Sequence, residues 1–160
     1  MVNNSDLKHL RRCIELAKTA LENGDEPFGS VLVSADGKVL AEDHNHVSGG
    51  DQTQHPEFAL ARWAAGNMTS QERAEATVYT SGEHCPMCAA AHGLVELGRI
   101  VYVSSSKQLA QWRSEMGITG SRVRNLSIQD VIRDTTIEGP VPDLDEEVHQ
   151  LHRQFYTGRR

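Results

Sequence analysis

The feature that most constrains the fold is a short strand that leads directly into a helix carrying two cysteines. Residues 77–80 form a β-branched and aromatic run that predicts a strand, and the Ser-Gly pair at 81–82 is expected to end it. Pro86 then opens an alanine- and leucine-rich segment, and proline is favoured at a first helical position. We therefore expect Cys85 and Cys88 at a helix N-terminus, where unpaired N–H groups and the helix dipole favour the thiolate.

A second predicted helix start, further upstream, supplies a third candidate metal ligand. His55 precedes Pro56, which begins the helix-like segment EFALARWAA, and Glu57 lies one helical step further. Two thiolates and an imidazole suit zinc, and three protein ligands leave one position open for water, as in catalytic sites. Because the metal lowers the pKa of that water, Glu57 is placed to take its proton without binding the metal.

Each motif taken alone has another interpretation. A Cys-Pro-x-Cys motif in an intracellular chain is also typical of a thioredoxin-like redox pair, and an isolated His-x-Glu is most often solvated surface. A structural zinc site needs a fourth ligand, and the remaining cysteine, Cys13, lies in a helical pattern with no Cys or His at ligand spacing. The two motifs together therefore favour a catalytic zinc site.

With these motifs the chain resembles the zinc-dependent nucleobase and nucleoside deaminases of the cytidine deaminase superfamily. Their signature is H-x-E followed by P-C-x-x-C, with the glutamate as acid and base rather than as a ligand. Here the motifs are HPE at 55–57 and HCPMC at 84–88, and the similarity runs from PFG at 27–29 to about residue 103. It is strongest to the guanine deaminases and the tRNA adenosine deaminases.

The resemblance implies how the site is built. One catalytic Zn²⁺ per chain is held by His55, Cys85 and Cys88, with a bound water as the fourth ligand, and Glu57 carries the proton. It also implies a three-layer α/β/α sandwich, with zinc between the N-termini of the second and third predicted helices.

Periodicity and turn residues predict the same fold class without the resemblance. An Asp-Gly turn at 36–37 lies between two apolar runs, which is a strong hairpin signal, and Trp63 is expected on the inner face of the second helix. Helices that alternate with strands favour an α/β fold with one central mixed sheet of five strands and helices on both faces. The predicted strands are 28–33, 39–43, 77–80, 100–103 and 137–141, and the predicted helices are 7–21, 56–66, 86–97, 107–116, 126–132 and 143–156.

The resemblance gives further residues a role beside a purely structural alternative. Asn45 binds the substrate or is only a turn residue, and Phe28 lines the base pocket or only packs in the core. Glu83 is a second proton carrier or a group that fixes the ligand loop. His84, where the family usually has proline, faces the substrate or lies at the surface or behind the ligands. Tyr156 closes the pocket, in some relatives across a dimer, or only packs the last helix. The chain is expected to form a homodimer.

Composition limits the partners. A length of 160 residues predicts a single domain over 1–160, with 143–160 as a C-terminal helix and tail that closes the active site. The net charge of −6 argues against a generally basic surface, so we expect a small nucleobase-like substrate and no nucleic acid. Without an apolar span or a signal peptide, and with only three cysteines, the chain is expected to be cytoplasmic and to have no membrane partner.

One departure from the family pattern bears on the substrate. The middle residue of the first motif is usually alanine, and its N–H commonly binds the substrate ring, but Pro56 has no N–H. An unpaired buried acceptor costs on the order of 1–3 kcal/mol, so the substrate is expected to present a donor or no acceptor there. The sequence predicts hydrolytic deamination of guanine, isocytosine or an amino-s-triazine such as ammeline rather than cytidine. The alternatives are a tRNA adenosine deaminase and a catalytically silent zinc-stabilised binding module.

Overall fold

The computed structural model of the chain describes residues 1–158, and the predicted C-terminal residues 159 and 160 lie outside the described part. Within residues 1–158, no helix has both the length and the apolar composition that crossing a membrane requires. The helices are α1 (Asn4–Glu22), α2 (Pro56–Asn67), α3 (Ser70–Glu75), α4 (Pro86–Leu94), α5 (Ser106–Glu115), α6 (Ile128–Val131) and α7 (Leu144–Thr157), and the strands are β1 (Gly29–Val33), β2 (Val39–His44), β3 (Thr77–Gly82), β4 (Arg99–Ser104) and β5 (Ile137–Glu138).

The five strands form one mixed sheet in the order β2-β1-β3-β4-β5. β1 pairs antiparallel with both β2 and β3, whereas β3, β4 and β5 run parallel. The predicted fold class, a single mixed five-stranded sheet flanked by helices, is confirmed. The parallel arrangement follows from the helical crossover between β3 and β4, which brings the chain back to the same end of the sheet.

Alternating side chains of the strands build a core on each face of the sheet. On one face, Val31, Tyr79 and Val101 pack against α1 and α7. On the other face, Leu32 and Val78 pack against α2. Successive side chains of a strand point to opposite faces of the sheet, so a strand that is buried on both sides supplies both cores. The helices therefore form the two outer layers.

Several boundaries differ from the sequence prediction. The strand β3 does not end before Ser81 and Gly82, because the Ser81 hydroxyl accepts the N–H of Gly29 at 3.1 Å and Gly82 pairs with Ser104. Trp63 was expected on the inner face of α2 but is 36% exposed. The buried side chains of that helix include Leu60, Ala61 and Ala64, since small alanines let the helix lie close to the sheet.

Candidate active site

The structure brings the three predicted ligands together at the N-termini of two adjacent helices. His55 is the N-cap residue of α2, Cys85 is that of α4, and Cys88 lies in the first turn of α4. The Nδ1 atom of His55 lies 3.4 Å from Sγ of Cys85 and 3.6 Å from Sγ of Cys88. Ligand atoms about 2.0–2.3 Å from a tetrahedral zinc ion lie roughly 3.5 Å apart, so the group fits zinc.

The electrostatics of this group differ between its two thiols. The pKa of the Cys85 thiol is held well below its usual range, first by a hydrogen bond from Cys88 and then by His55. The hydrogen bond to Cys85 is the main cause that raises the pKa of His55, and the charges of Glu57 and Glu26 contribute further. The pKa of Cys88 is raised, first by its hydrogen bond to Cys85 and then by burial. One thiol of the pair therefore carries the negative charge, and a metal that binds both must displace the proton of the other.

Glu57 lies in the first turn of α2 and is almost fully buried, at 6% exposure. Its Oε1 atom accepts hydrogen bonds from Thr80 at 2.7 Å and from Ser30 at 3.1 Å. Burial raises the pKa of this carboxyl, while the Thr80 hydrogen bond and the nearby His55 oppose the rise. A carboxyl whose pKa is raised above its ordinary value is a stronger base, which suits a group that accepts and returns a proton.

The sequence analysis did not identify the two hydroxyl groups that hold Glu57. Ser30 and Thr80 are direct partners in the antiparallel pairing of β1 and β3, and the Ser30 hydroxyl lies 2.9 Å from that of Thr80. Both side chains are fully buried. A hydroxyl residue within each of two otherwise apolar strands was a signal in the sequence that could have marked both as functional. Only the register of β1 and β3 shows that both hydroxyls reach the same carboxylate.

Asn45 and Phe28 lie next to each other at the ends of β2 and β1. Asn45 is buried, its backbone N–H donates to the carbonyl of Phe28, and its side-chain oxygen accepts the N–H of Val47 at 3.0 Å. The ring of Phe28 packs edge-on against His152, and a Cβ at Gly82 would lie only 3.1 Å from that ring. Asn45 therefore makes the contacts of a turn residue, and Phe28 makes the contacts of a packed core residue. Substrate binding by these two residues stays a prediction.

The contacts of Glu83 are those of a group that fixes the ligand loop. One carboxylate oxygen accepts both the N–H and the hydroxyl of Ser106, at 2.9 and 3.0 Å, where α5 begins. The other oxygen accepts the N–H of Ile128 at 2.8 Å, at the start of α6. Glu83 thereby ties the segment before Cys85 to two helix N-termini, and its role as a second proton carrier stays a prediction.

His84 does not lie at the surface, and that part of the expectation is wrong. Its side chain is 1% exposed and meets the ring of His92 edge-on, with 5.4 Å between the ring centres. Burial lowers the pKa of His84. His92 bonds the carbonyl of Gly98 at 2.8 Å, as expected of a core residue. His84 therefore packs against the inner side of α4, and a contact with substrate stays a prediction.

Tyr156 on α7 belongs to a charged cluster that sequence reasoning missed. Arg113 donates to the Tyr156 hydroxyl at 2.8 Å and to Oε2 of Glu26 at 3.0 Å. The Tyr156 hydroxyl also lies 3.5 Å from the same oxygen of Glu26. Glu26, together with Val47 and Phe155, lines a cavity of about 350 Å³. The C-terminal helix thus packs on its own chain at the rim of this cavity.

A second set of potential ligand atoms flanks Asn45. Atoms of Asp25, His44 and His46 lie within 4.8 Å of one another. Asp25 accepts the N–H of Ser48 at 2.8 Å, His46 contacts Asp43 at 3.0 Å, and His44 contacts the Asn45 carbonyl at 3.1 Å. These contacts fix the loop that carries Asn45.

Comparison with known proteins agrees with this geometry. The profile of the cytidine and deoxycytidylate deaminase zinc-binding region matches residues 3–104, which include all three ligands and Glu57. The chain belongs to this family. It is a zinc-binding deaminase, and the predicted catalytic zinc is confirmed as the cofactor of the family domain.

Individual relatives carry different substrate names. A protein described as a "probable cytosine deaminase" from Schizosaccharomyces pombe is 29% identical over 163 residues, which cover 99% of this chain and 97% of that protein. A tRNA-specific adenosine deaminase from Haemophilus influenzae is 30% identical over 156 residues, covering 97% and 85%. The structure of a guanine deaminase from Nitrosomonas europaea aligns with a TM-score of 0.69 at 15% identity, covering 98% of this chain and 86% of that one. At that identity the last match shows the fold alone.

Proposed function

We propose that the protein hydrolyses the exocyclic amine of a free nucleobase or base analogue and releases ammonia. The observation that carries this proposal is the buried Glu57 carboxylate, which is held by two hydroxyls beside the group of His55, Cys85 and Cys88. A relative described as a "probable cytosine deaminase", which matches nearly the full length, supports a free base as the substrate.

Glu57 performs the proton transfers in the proposed reaction. The chemistry that a zinc ion supplies in such a site, held by His55, Cys85 and Cys88, is the activation of water at neutral pH. Glu57 accepts a proton from the attacking water and delivers it to the unprotonated ring nitrogen beside the amine-bearing carbon. The second proton of the water also passes through Glu57 to the leaving amine, so that the carbon gains a carbonyl oxygen and loses ammonia. Glu83 is not needed as a carrier, because backbone donors engage both of its oxygens.

Two residues beside the strand ends, Phe28 before β1 and Asn45 after β2, position the ring in this proposal. Phe28 provides an aromatic face for stacking, and Asn45 offers the NH₂ group of its side chain, since its oxygen already accepts the Val47 N–H. In this proposal the C-terminal segment predicted at 143–160 closes the active site, which is supported by Phe155 of α7 lining the cavity. A homodimer and a single domain over the whole chain stay predictions.

The absence of an N–H at Pro56 narrows the proposed substrate class. A base that places an acceptor against Pro56 would leave that acceptor unpaired in a buried site, at a cost of roughly 1–3 kcal/mol. Guanine, isocytosine and ammeline share a 2-amino-4-oxo pattern with a ring N–H next to the amine-bearing carbon. We favour this pattern over that of cytidine, which presents an acceptor there.

The second candidate function is deamination of adenosine in tRNA. The tRNA-specific adenosine deaminase that covers nearly the whole chain favours it. The net charge of −6 opposes it, because a protein that binds RNA through its phosphates needs a basic surface. Binding to tRNA that weakens steeply between 50 and 200 mM salt, on the scale of roughly 10³-fold, would favour this alternative.

The decisive experiment measures ammonia release by the zinc-loaded protein. The substrates are guanine, isocytosine, ammeline, cytosine, cytidine, adenine and guanosine, with Glu57→Gln as the blank and zinc content measured for both proteins. We expect turnover of at least one free base by the wild type, and loss of nearly all turnover with retained zinc in the variant. Silence on every free base, or equal activity of Glu57→Gln, would refute the proposal. Turnover of cytidine above every base would refute the argument from Pro56.

A further inference from the structure

Glu26 is one of the residues that line the cavity beside the loop that follows Asn45. Glu26 comes three residues before β1 and lines the cavity of about 350 Å³ with Val47, two residues after Asn45, and with Phe155. This volume lies in the range of small-molecule sites. The charge of Glu26 also reaches His55, where it contributes electrostatically. The wall of this cavity thus carries a carboxylate whose charge acts on one of the zinc ligands.

Contacts on one side hold this carboxylate in place. Arg113 donates to Oε2 of Glu26 at 3.0 Å, and the Tyr156 hydroxyl lies 3.5 Å from the same atom. The Glu26 side chain is 18% exposed. Arg113 is the ion-pair partner of Glu26, and the second oxygen of the carboxylate, Oε1, takes no part in these two contacts. A carboxylate acceptor that is fixed in this way favours a ligand that brings a hydrogen-bond donor.

Glu26 and Pro56 select for the same substrate chemistry from two directions. Pro56 has no backbone N–H to donate to an acceptor on the substrate ring. The carboxylate of Glu26 can accept a hydrogen bond from an N–H on the substrate ring. We propose that Glu26 is a specificity-determining residue that accepts a hydrogen bond from the ring N–H beside the amine-bearing carbon of 2-amino-4-oxo bases. This inference rests on the proposed function and names the atom by which such bases are chosen over cytosine, which has no N–H at that position.

A purely structural role for Glu26 makes a different prediction. The contacts with Arg113 and Tyr156 also join the loop before β1 to α5 and α7, so their loss lowers stability. A loss of stability alone changes the turnover of all substrates by a similar factor. A specificity role changes the ratio between two substrates that differ in the ring N–H.

The test compares kcat/KM for isocytosine and for cytosine in the zinc-loaded wild type, Glu26→Gln and Glu26→Asp. Glu22→Gln, an exposed change at the end of α1, is the matched control. We expect the wild type to prefer isocytosine, the ratio to fall roughly 10- to 100-fold in Glu26→Gln, mainly through KM, and the control to keep the wild-type ratio. Glu26→Asp, which keeps the charge, is expected to give an intermediate ratio and serves if the glutamine variant does not fold.

Two outcomes would overturn the inference. A wild type that prefers cytosine contradicts it directly, and so does an unchanged ratio in a folded Glu26 variant with normal zinc content. Neither outcome would refute deamination itself, since the enzyme would still release ammonia. Loss of all ammonia release in the wild type would instead refute the proposed function on which the inference rests.

Discussion

Thr80 donates its hydroxyl to Oε1 of the buried Glu57 at a distance of 2.7 Å. We expect Thr80→Val to lower kcat about tenfold, because a hydrogen bond to a charged group contributes on the order of 1.5–3 kcal/mol and Ser30 remains as a second donor. The measurement is steady-state ammonia release on the best substrate of the wild type, together with zinc content. Thr77→Val, at the start of the same strand, is the matched control and should leave kcat within about twofold. A Thr80→Val enzyme with wild-type kcat would show that the hydroxyl does not assist Glu57.

The metal ligands and Glu57 were predictable because their signals are local. Each ligand helix opens with a Pro at its first position, which fixed the boundaries of α2 and α4 within a residue of the structure at their starts. The short helix α3 was missed although Thr69 and Glu72 form a capping box that marks its start. That signal was present, but the helix buries none of its side chains and therefore lacks the apolar period that identifies helices in a sequence.

Replacement of a zinc ligand is expected to abolish zinc binding and activity without unfolding the protein. Cys85→Ser should lose most of its zinc and all deaminase activity, yet keep its far-UV circular dichroism, because the apolar cores on both faces of the sheet do not include the ligand loop. Ser81→Ala is a control in the neighbouring strand that leaves the three ligands unchanged. Complete unfolding on zinc loss would instead favour the silent zinc-stabilised module.

Asp6 anchors α1 to the sheet. Its carboxylate accepts the Tyr79 hydroxyl at 2.6 Å and two bonds from Arg99 at 2.8 and 2.9 Å, and it is 2% exposed. Asp6→Asn is expected to lower the free energy of unfolding by about 1.5–3 kcal/mol at pH 7, because Arg99 loses the charge of its buried partner and keeps only its ion pair with Glu138. Urea unfolding measures this, with the exposed Asp134→Asn as the control.

The ion pair of Asp6 and Arg99 also predicts how the free energy of unfolding depends on pH. The hydrogen bonds from Arg99 hold the pKa of Asp6 well below its ordinary value of 3.8. The contribution of the Asp6–Arg99 pair to the free energy of unfolding is therefore fully present above the pKa that Asp6 has in the unfolded chain. It is lost as the pH falls through the lower pKa that Asp6 has in the folded protein. The difference in unfolding free energy between wild type and Asp6→Asn should narrow below about pH 4. A constant difference from pH 7 to pH 3 would contradict the pairing.

Residues that act through distant partners were beyond sequence reasoning. Glu26, Arg113 and Tyr156 come from a loop and two helices that are far apart along the chain, and nothing local marks any of them. Ser30 and Thr80 meet only through the register of β1 and β3. Spacing rules identify groups that share one helix or one turn, whereas these clusters depend on tertiary packing.

His152 on α7 is expected to make the protein sensitive to mild acid. Its ring is 1% exposed, and neither ring nitrogen has a hydrogen-bond partner among residues 1–158. Burial first, and then the charges of Arg113 and His149, lower the pKa of His152 to about 3. The pKa of His152 in the unfolded chain is the ordinary 6.5. Between pH 6.5 and about pH 3, His152 binds a proton only in the unfolded state, so the free energy of unfolding falls as the pH falls. His152→Leu should raise this free energy by about 1 kcal/mol at pH 7 and flatten its decline between pH 6.5 and 4.5, as measured by urea unfolding beside His149→Gln. An equally steep decline in His152→Leu would show that other groups cause the acid sensitivity.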